Sequence, residues 1–304
     1  DDTDYFSTAP NNITLLKAVA DSQKIDFEII DLEDSIVQEL SLSVKNGVIS
    51  DMKWSDDSNK GLLKINNSYF LMDLSDPGNL TIIQPFYLSQ SKEANFNPEN
   101  PNQIFFIKNK NIYLSSQSAP ILKDVATYKI INQDIIWLSY DGFIYSSNIS
   151  GQSTEQLTSK EISVKTDQPY SIIDASDRTL LKEGNSLLVI NTLTKELELL
   201  SQSANSTKVS PSNQRVLYFN NNEASYYGLS INLDNERVNI KISDFENIKD
   251  CQWLNDDYII CSLANKIIIS EIDNRGNVNV LNLAEKITLE SGTEIAMKDS
   301  KIFF

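Results

Sequence analysis

The chain has 304 residues, of which 40% are apolar, 26 are basic and 42 are acidic, so its formal net charge is −16. A chain this acidic repels phosphate backbones and anionic lipid surfaces, which disfavours binding to nucleic acid or directly to a membrane. Histidine is absent, which excludes imidazole metal sites and nucleophiles activated by a histidine base. Neither a signal peptide nor a membrane helix is visible, so we expect any membrane anchor to lie outside this chain.

The predicted elements are almost all short strands. Runs of β-branched and aromatic residues alternate with Asn, Asp, Ser, Gly and Pro, and no window has convincing helical periodicity. Residues 11–42 have the pattern of three consecutive strands. Six hairpins follow, each with two strands around a short polar turn; in chain order they cover 61–74, 103–116, 134–147, 179–192, 215–231 and 258–272. The sequence therefore predicts an all-β fold.

A repeat underlies these hairpins, because each one follows a strand that ends in an apolar residue and a polar elbow. Successive marker residues are separated by 35 to 44 positions; they are Trp54, Phe96, Ile131, Ile173, Val209 and Trp253. A fourth apolar run follows several of the hairpins, for example at 80–83 and 238–242. A unit of about 40 residues with four antiparallel strands is the pattern of a β-propeller blade.

The two ends of the chain set the predicted number of blades. Residues 286–304 have the pattern of a first strand and a hairpin, and they could supply the inner strand of the N-terminal blade. The N- and C-terminal strands would then close a ring of seven blades, which hides sheet edges. If Phe6 also marks an inner strand, eight blades are the alternative. We predict seven blades in a single domain spanning 1–304.

The elbow and hairpin at 54–74, WSDDSNKGLLKINNSYFLMDL, resemble the blade pattern of TolB-type and WD-repeat-like propellers. Weaker copies occur at 96–106, 209–219 and 253–263, whereas the Gly-His and Trp-Asp pairs of true WD repeats do not occur. The segment FNPENPNQIFFIKNKNIYLSS (96–116) is also similar to propellers that follow PEGA domains in envelope proteins of candidate-phylum bacteria. This resemblance implies an extracytoplasmic binding or scaffold module, tethered to a membrane by a segment outside this chain.

The two cysteines, Cys251 and Cys261, flank one elbow. If residues 255–257 form the turn, the two cysteines lie opposite each other on neighbouring strands, within the range of a disulfide bond. A disulfide would indicate an oxidising compartment, whereas two buried free thiols would fit a cytoplasmic protein. We predict the disulfide, and a shift of one residue in the turn would exclude it.

Three aromatic residues occupy the marker position before an elbow: Trp54, Phe96 and Trp253. Such residues could form platforms for a sugar or a peptide. Their recurrence at one position of the repeat favours packing between blades instead. The acidic elbows at 55–59 and 255–257 could suggest calcium, but they lack the spacing of a calcium loop, and Asn and Asp are ordinary turn residues.

The sequence assigns no catalytic residue, cofactor or metal. We therefore predict a non-enzymatic binding or scaffold module with a protein partner, in the extracytoplasmic part of a bacterial envelope or surface protein. The alternative function is a carbohydrate-active hydrolase or lyase that uses Asp/Glu and Tyr at the mouth of the propeller channel. The alternative location is the cytoplasm. We expect binding at loops that join one blade to the next, such as 86–96 and 158–171.

Overall fold

A computed structural model describes residues 3–11, 13–76, 78–175, 178–191, 193–229, 237–273, 279–285, 296–298 and 301–303. The chain divides into two compact units, and the division runs through the fourth sheet. Unit 1 comprises 1–140 and 146–155, and unit 2 comprises 141–145 and 156–304. The prediction of a single domain spanning 1–304 stays a prediction.

The first three sheets belong to unit 1 and follow each other along the chain. The first sheet has strands β1 (Thr3–Thr8), β2 (Thr14–Ala20), β3 (Ile25–Asp31) and β4 (Val37–Leu42). The second has β5 (Ile49–Trp54), β6 (Lys60–Ile65), β7 (Ser68–Asp73) and β8 (Thr81–Ile83). The third has β9 (Glu93–Asn97), β10 (Asn100–Lys108) and β11 (Asn111–Leu114). A 3-10 helix, Phe86–Leu88, precedes β9. No helix among the described residues is long and apolar enough to cross a membrane.

The fourth sheet contributes to both units, and three further sheets with a C-terminal hairpin belong to unit 2. Their strands are β12 (Val125–Ile131), β13 (Asp134–Ser139), β14 (Ile144–Asn148) and β15 (Glu155–Gln156); β16 (Tyr170–Ala175), β17 (Arg178–Glu183), β18 (Ser186–Ile190) and β19 (Leu197–Ser201); β20 (Ser206–Val209), β21 (Arg215–Phe219), β22 (Glu223–Leu229) and β23 (Arg237–Asp244); β24 (Ile248–Trp253), β25 (Tyr258–Leu263), β26 (Lys266–Glu271) and β27 (Val280–Glu285); and β28 (Ala296–Lys298) and β29 (Lys301–Phe303).

Each of the seven sheets from β1 to β27 is antiparallel and keeps the order of its strands along the chain, so each is one blade. The predicted hairpins are confirmed, and their turns show why they form. Asn66 and Asn67, between β6 and β7, have φ of 48° and 64°. Asn109 and Lys110, between β10 and β11, have φ of 51° and 63°. Two consecutive residues with positive φ make a turn whose twist matches that of paired strands, and Asn tolerates this conformation best after Gly.

The predicted repeat is confirmed. All six marker residues lie on the first strand of a blade, at its end or within two residues of it. The seven blades are β1–β4, β5–β8, β9–β11, β12–β15, β16–β19, β20–β23 and β24–β27. Six of them have four strands, and the third has three. Where its fourth strand would run, the third blade has only a single bridge between Ile112 and Leu122.

The predicted closure by strands from both ends of the chain is wrong. Strand β1 pairs with β2 over six residues, with Phe6 opposite Lys17, so the first blade takes its inner strand from the N-terminal segment itself. The edge of β2 is thereby occupied, and a C-terminal strand cannot pair with it. The described C-terminal strands, β28 and β29, pair with each other. Part of the 286–304 segment lies outside the described residues.

Apolar side chains fill the space between consecutive blades within each unit. In unit 1, one cluster joins buried residues of the first and second blades, including Leu16, Phe27, Leu63 and Met72. In unit 2, a cluster joins the sixth and seventh blades and contains both cysteines. Within each unit, these blades therefore bury their faces against each other.

Candidate functional site

A pocket of about 530 Å³ lies in unit 1 where three consecutive inner strands end. Strands β5, β9 and β12 and the elbows that follow β5 and β9 form its walls. We call it the Trp54 pocket. Its apolar wall consists of Trp54, Phe96, Pro98, Pro101 and Ile130. Each of these residues is at least partly exposed, so the pocket presents an apolar surface to a ligand.

The polar wall of the pocket carries charges of both signs: Lys53, Lys129, Asp56 and Asp57. The Lys53 ammonium donates to the Ala94 carbonyl at 3.0 Å and to the Asn95 Oδ1 at 2.9 Å, which fixes it across the gap between β5 and β9. Its Nζ also lies 4.0 Å from an Asp51 carboxylate oxygen. The polar groups are thus held in place before any ligand binds, which reduces the entropy lost on binding.

The carboxylates of the pocket are not arranged for acid catalysis. The Ser55 hydroxyl donates to Asp57, and this bond holds the pKa of the Asp57 carboxyl below its usual value against a smaller opposing effect of burial. A general acid at a glycosidic bond needs a raised pKa instead. No Arg or Tyr lines the pocket, and the chain has no His. The arrangement can bind a ligand by apolar contact and hydrogen bonds, but it offers no matched acid and base.

The three marker aromatics differ in their surroundings. The Trp54 indole N–H donates to the Ser7 hydroxyl of β1 at 2.9 Å, so this side chain joins two blades while its other side lines the pocket. Phe96 also lines the pocket. The Trp253 indole N–H donates to the Lys208 carbonyl of β20 at 2.9 Å, and its ring packs on the cluster that contains the cysteines. Two of the three aromatics therefore combine packing with exposure to a ligand.

The cysteines lie opposite each other on β24 and β25 and form a disulfide. The turn is the one expected from the sequence, since the Leu254 amide donates to the Tyr258 carbonyl at 2.9 Å. Both cysteines are fully buried. No cluster of three or more His, Cys, Asp or Glu side chains that could hold a metal ion occurs among the residues that the structure describes.

The predicted 86–96 loop begins before β9, at the opposite end of that strand from the Trp54 pocket, but its last two residues, Asn95 and Phe96, line the pocket. The 86–96 loop contains the 3-10 helix and lines a second, more open cleft together with the β6–β7 turn. The 158–171 loop is fastened within unit 2, where the Ser159 amide donates to the Lys195 carbonyl and the Ile162 amide to the Gly142 carbonyl. Sequence reasoning missed the pocket at the elbow ends. Its only local signal was the pair of prolines, Pro98 and Pro101, in one elbow.

Comparisons with known proteins place the chain by fold. No family model matches it, and no curated protein matches it. The C-terminal WD40 domain of Sif2 aligns over 90% of this chain and 83% of its own length, with 11% identity and a TM-score of 0.58. The WD40 domain of SCAP from fission yeast aligns over 97% and 90%, with 13% identity and a TM-score of 0.57. The dihydro-heme d1 dehydrogenase NirN aligns over 93% and 66%, with 10% identity and a TM-score of 0.57.

At such low identity, these likenesses concern the fold alone. They agree with the WD-repeat-like pattern of the elbows, whereas the narrower resemblance to TolB-type propellers and to PEGA-associated propellers stays a prediction. The blades and the comparisons together show a seven-bladed, all-β propeller of mainly four-stranded antiparallel blades.

Proposed function

We propose that this propeller is a protein-interaction module that binds a short segment of a partner protein in the Trp54 pocket. The observation that carries the proposal is the composition of the pocket: an exposed wall of two aromatic rings and two prolines beside fixed amide and charged groups. Pockets of this kind receive an apolar anchor side chain and orient it with a few polar contacts. The partner segment therefore carries at least one large apolar residue.

The fold supports binding and catalysis equally, because the same architecture hosts unrelated functions. Two of the similar structures are WD40 domains, and a third is named as a dehydrogenase. The chemistry of the pocket favours binding over the hydrolase alternative, since the Asp57 carboxyl has a lowered pKa and no Arg or Tyr lies in the wall. We therefore propose a scaffold rather than an enzyme.

A panning experiment tests the proposal. A phage-displayed library of random twelve-residue peptides is selected on the intact chain, and the binding constants of the enriched peptides are measured by fluorescence anisotropy. We expect one class of peptides to share an aromatic or large aliphatic residue. For this class, Phe96→Ala and Lys129→Glu each weaken binding at least tenfold, because the first removes an aromatic wall and the second reverses a charge at the rim.

Phe86→Ala is the matched control, since Phe86 is an exposed phenylalanine that does not line the pocket. It leaves the binding of this class unchanged. Lys129 is exposed, so its substitution keeps the test valid if Phe96→Ala perturbs folding. If no enriched peptide responds to either pocket variant, the pocket is not the binding site and the proposal is wrong.

The cellular location is a second part of the proposal: the propeller acts in an oxidising compartment outside the cytoplasm, such as the cell envelope that the PEGA resemblance implies. The buried Cys251–Cys261 disulfide supports this location, because such bonds are rare in a reducing cytoplasm. The test is the mass shift with a thiol reagent under denaturing conditions for protein isolated from its own cells. We expect no shift before reduction and two labelled thiols afterwards. Two labelled thiols before reduction would instead place the protein in the cytoplasm.

A further inference from the structure

The second cleft of unit 1 lies at the opposite end of β6 from the Trp54 pocket. Its volume is about 490 Å³, and it is lined by Lys64, by residues 66–68 of the β6–β7 turn and by residues 89–92 of the loop before β9. We call it the lysine cleft. Lys92 of the cleft and Asn95 of the Trp54 pocket are three residues apart in the chain, so at about 3.3 Å per residue the linings of the two sites approach to roughly 10 Å.

The charge of the lysine cleft is opposite to that of the chain. The chain carries a net charge of −16, yet every lining residue of the cleft is either neutral or a lysine. Amide and hydroxyl groups of Asn, Gln and Ser make up the rest of the lining. An acidic ligand is repelled by most of the molecule, so a local cationic cleft directs it to one place.

The ammonium groups of the two lysines bond to backbone carbonyls rather than to carboxylates. The Lys64 ammonium donates to the Lys92 carbonyl at 3.3 Å, and the Lys92 ammonium donates to the Ala126 carbonyl at 2.7 Å. In the described part of the chain, neither ammonium has a carboxylate oxygen within 4.0 Å. Each ammonium has three N–H groups, so donors remain for a ligand.

The electrostatics of Lys92 agree with this geometry. Burial lowers the pKa of the Lys92 ammonium; the Glu93 carboxylate opposes the change, and the nearby Lys64 ammonium adds to it. Two like charges that repel each other are a natural site for a carboxylate, which relieves the repulsion when it binds between them.

An exposed aromatic residue, Phe86, precedes the cleft-lining segment 89–92 by three residues in the chain. Phe86 is 89% exposed, and the residues after it anchor the chain: Leu88 is fully buried, and its amide donates to the Pro85 carbonyl at 3.0 Å. The Lys108 ammonium lies 5.6 Å from the centre of the Phe86 ring. The ring is thus presented on a fixed turn, which makes it suitable as an anchor for a partner.

We propose that the lysine cleft and Phe86 form a second docking site, which binds an acidic segment of a partner protein. Carboxylates of that segment contact Lys64 and Lys92, and an apolar side chain packs on Phe86. The site goes beyond the proposed function, because it needs no ligand in the Trp54 pocket and has a lining of its own.

A protein segment fits the surface better than an anionic membrane does. Basic residues near an anionic bilayer each contribute about 1 kcal/mol, and lipid-binding clusters contain four to eight of them. The lysine cleft has two, and the −16 net charge of the chain opposes approach to such a surface. The exposed ring of Phe86 also suits the mixed apolar and acidic composition of a peptide.

The test uses the whole chain with the Trp54 pocket weakened by Lys129→Glu. The random twelve-residue library is panned on this variant, and binders that persist on a Lys64→Gln/Lys92→Gln version are removed. We expect enriched peptides with several Asp or Glu residues and one large apolar residue. Their dissociation constants rise at least tenfold in the double lysine variant and at least threefold in Phe86→Ala, and they rise about tenfold between 50 and 300 mM salt.

Asn67→Asp is a second variant, which adds a carboxylate to the cleft at an exposed turn position that Asp tolerates. It weakens the same peptides at least threefold. Lys160→Gln and Leu193→Ala are matched controls, since they remove an exposed lysine and an exposed apolar side chain elsewhere; binding is unchanged in both.

Vesicles with 30% phosphatidylserine form a separate arm of the experiment, and we expect no binding to them. Vesicle binding that depends on Lys64 and Lys92 would replace the acidic segment with a membrane surface. Enriched peptides without an excess of acidic residues, or an empty selection, would also overturn the proposal. Peptides that respond to Phe96→Ala but not to the lysine variants belong to the Trp54 pocket, so the two proposals fail separately.

Discussion

Two elbows at the same position of the repeat serve different purposes. The elbow at 55–59 follows Trp54 in unit 1, and the elbow at 255–257 follows Trp253 in unit 2. The first is open: Asp57 bonds to Ser55 within the same elbow, and Asp56 lines the Trp54 pocket. The second is closed, because its Asp256 is bonded to a neighbouring blade.

The closed elbow is held by a network around two residues. The Asp256 carboxylate accepts from both the amide and the hydroxyl of Ser212. Arg215, which is buried, donates to the Asp256 carbonyl at 2.9 Å and to the Leu229 carbonyl at 2.8 Å. In the open elbow, the corresponding link among the described residues is the bond from the Asn11 amide to the Ser58 hydroxyl. A polar elbow fastened to its neighbour cannot offer its carboxylate to a ligand.

The strands beneath the two elbows show the same contrast. Two residues before the tryptophan, Met52 lies opposite Leu63 in the open blade and Cys251 lies opposite Cys261 in the closed blade. An ordinary apolar pair thus supports the pocket, and a covalent bond supports the closed end. The repeat determines the positions of the strands. The residues in and beneath each elbow determine whether that end of the strand can bind a ligand or stabilises the fold.

Removal of the disulfide is expected to have the largest effect on the closed blade. Cys251→Ala/Cys261→Ala releases a cross-link with a sequence separation of 10, and we expect the free energy of unfolding to fall by about 3 kcal/mol. Urea unfolding at pH 7 measures this loss. A reducing agent destabilises the native protein by a similar amount and leaves the variant unchanged; a variant as stable as the native protein would show that the cross-link is dispensable.

The Arg215 network is expected to have the next largest effect. Arg215→Met keeps the buried alkyl chain but removes two hydrogen bonds from a charged donor, so we expect a loss of about 2 kcal/mol. Asp256→Asn keeps an acceptor for Ser212 and costs about 1 kcal/mol or less. Asp56→Asn in the open elbow is the matched control and stays within about 0.5 kcal/mol. Equal losses at Asp56 and Asp256 would remove the distinction between the elbows.

The sequence was sufficient for the blades because their signals are local. Period-two alternation, Asn-rich turns and a marker residue at regular steps act within one unit, and the register of Cys251 and Cys261 follows from one short turn. The predicted closure was wrong although β1 and β2 are neighbours in the chain. The alternation in 3–8 was too short to decide in advance that β1 would pair with β2.

The candidate site was less predictable because it depends on relations between blades. Trp54 and Phe96 were predicted as packing residues, and each does pack. Nothing in the sequence shows that a third strand, with Ile130, ends beside them and leaves a gap. A pocket forms where side chains from different blades do not fill the space between them. The residue pattern within one blade does not contain this information.

The indole N–H groups of the two tryptophans allow a finer comparison. Trp253→Phe leaves the Lys208 carbonyl without this donor in a packed environment, and we expect a loss of about 1 kcal/mol. Trp54→Phe costs about half as much, since the Ser7 hydroxyl can rotate towards another partner. Urea unfolding measures both. Only Trp54→Phe should alter the affinity of pocket-binding peptides; an equal effect of Trp253→Phe would separate peptide binding from the Trp54 pocket.

The residue after each elbow accounts for the smallest expected difference in the free energy of unfolding, and this difference depends on pH. Lys60 pairs with Asp73 after the open elbow, and Tyr258 lies opposite Glu271 after the closed one. The pKa of the Asp73 carboxyl is subject to burial, which raises it, but the bonds from Lys60 and Ser75 prevail and lower it to about 2. A carboxyl whose pKa is lowered in the folded state stabilises the fold at pH values above its usual pKa of 3.8. This contribution is lost as the pH falls from about 4 to 2. Because Asp73 is about one third exposed, we expect this contribution to be below about 1 kcal/mol.

Lys60→Met should therefore flatten the acid limb of the stability curve. It lowers the free energy of unfolding at pH 7 by less than about 1 kcal/mol, and the difference from the native protein shrinks as the pH falls through the pKa of Asp73, about 2, and the carboxyl becomes protonated. Urea unfolding at pH 2, 3, 4 and 7 provides the measurement. Tyr258→Phe, at the corresponding position of the closed blade, leaves the shape of the acid limb unchanged. If Lys60→Met and the native protein lose stability in parallel below pH 4, the ion pair does not hold the open elbow, and the difference between the two elbows lies in the Asp256 network and the disulfide alone.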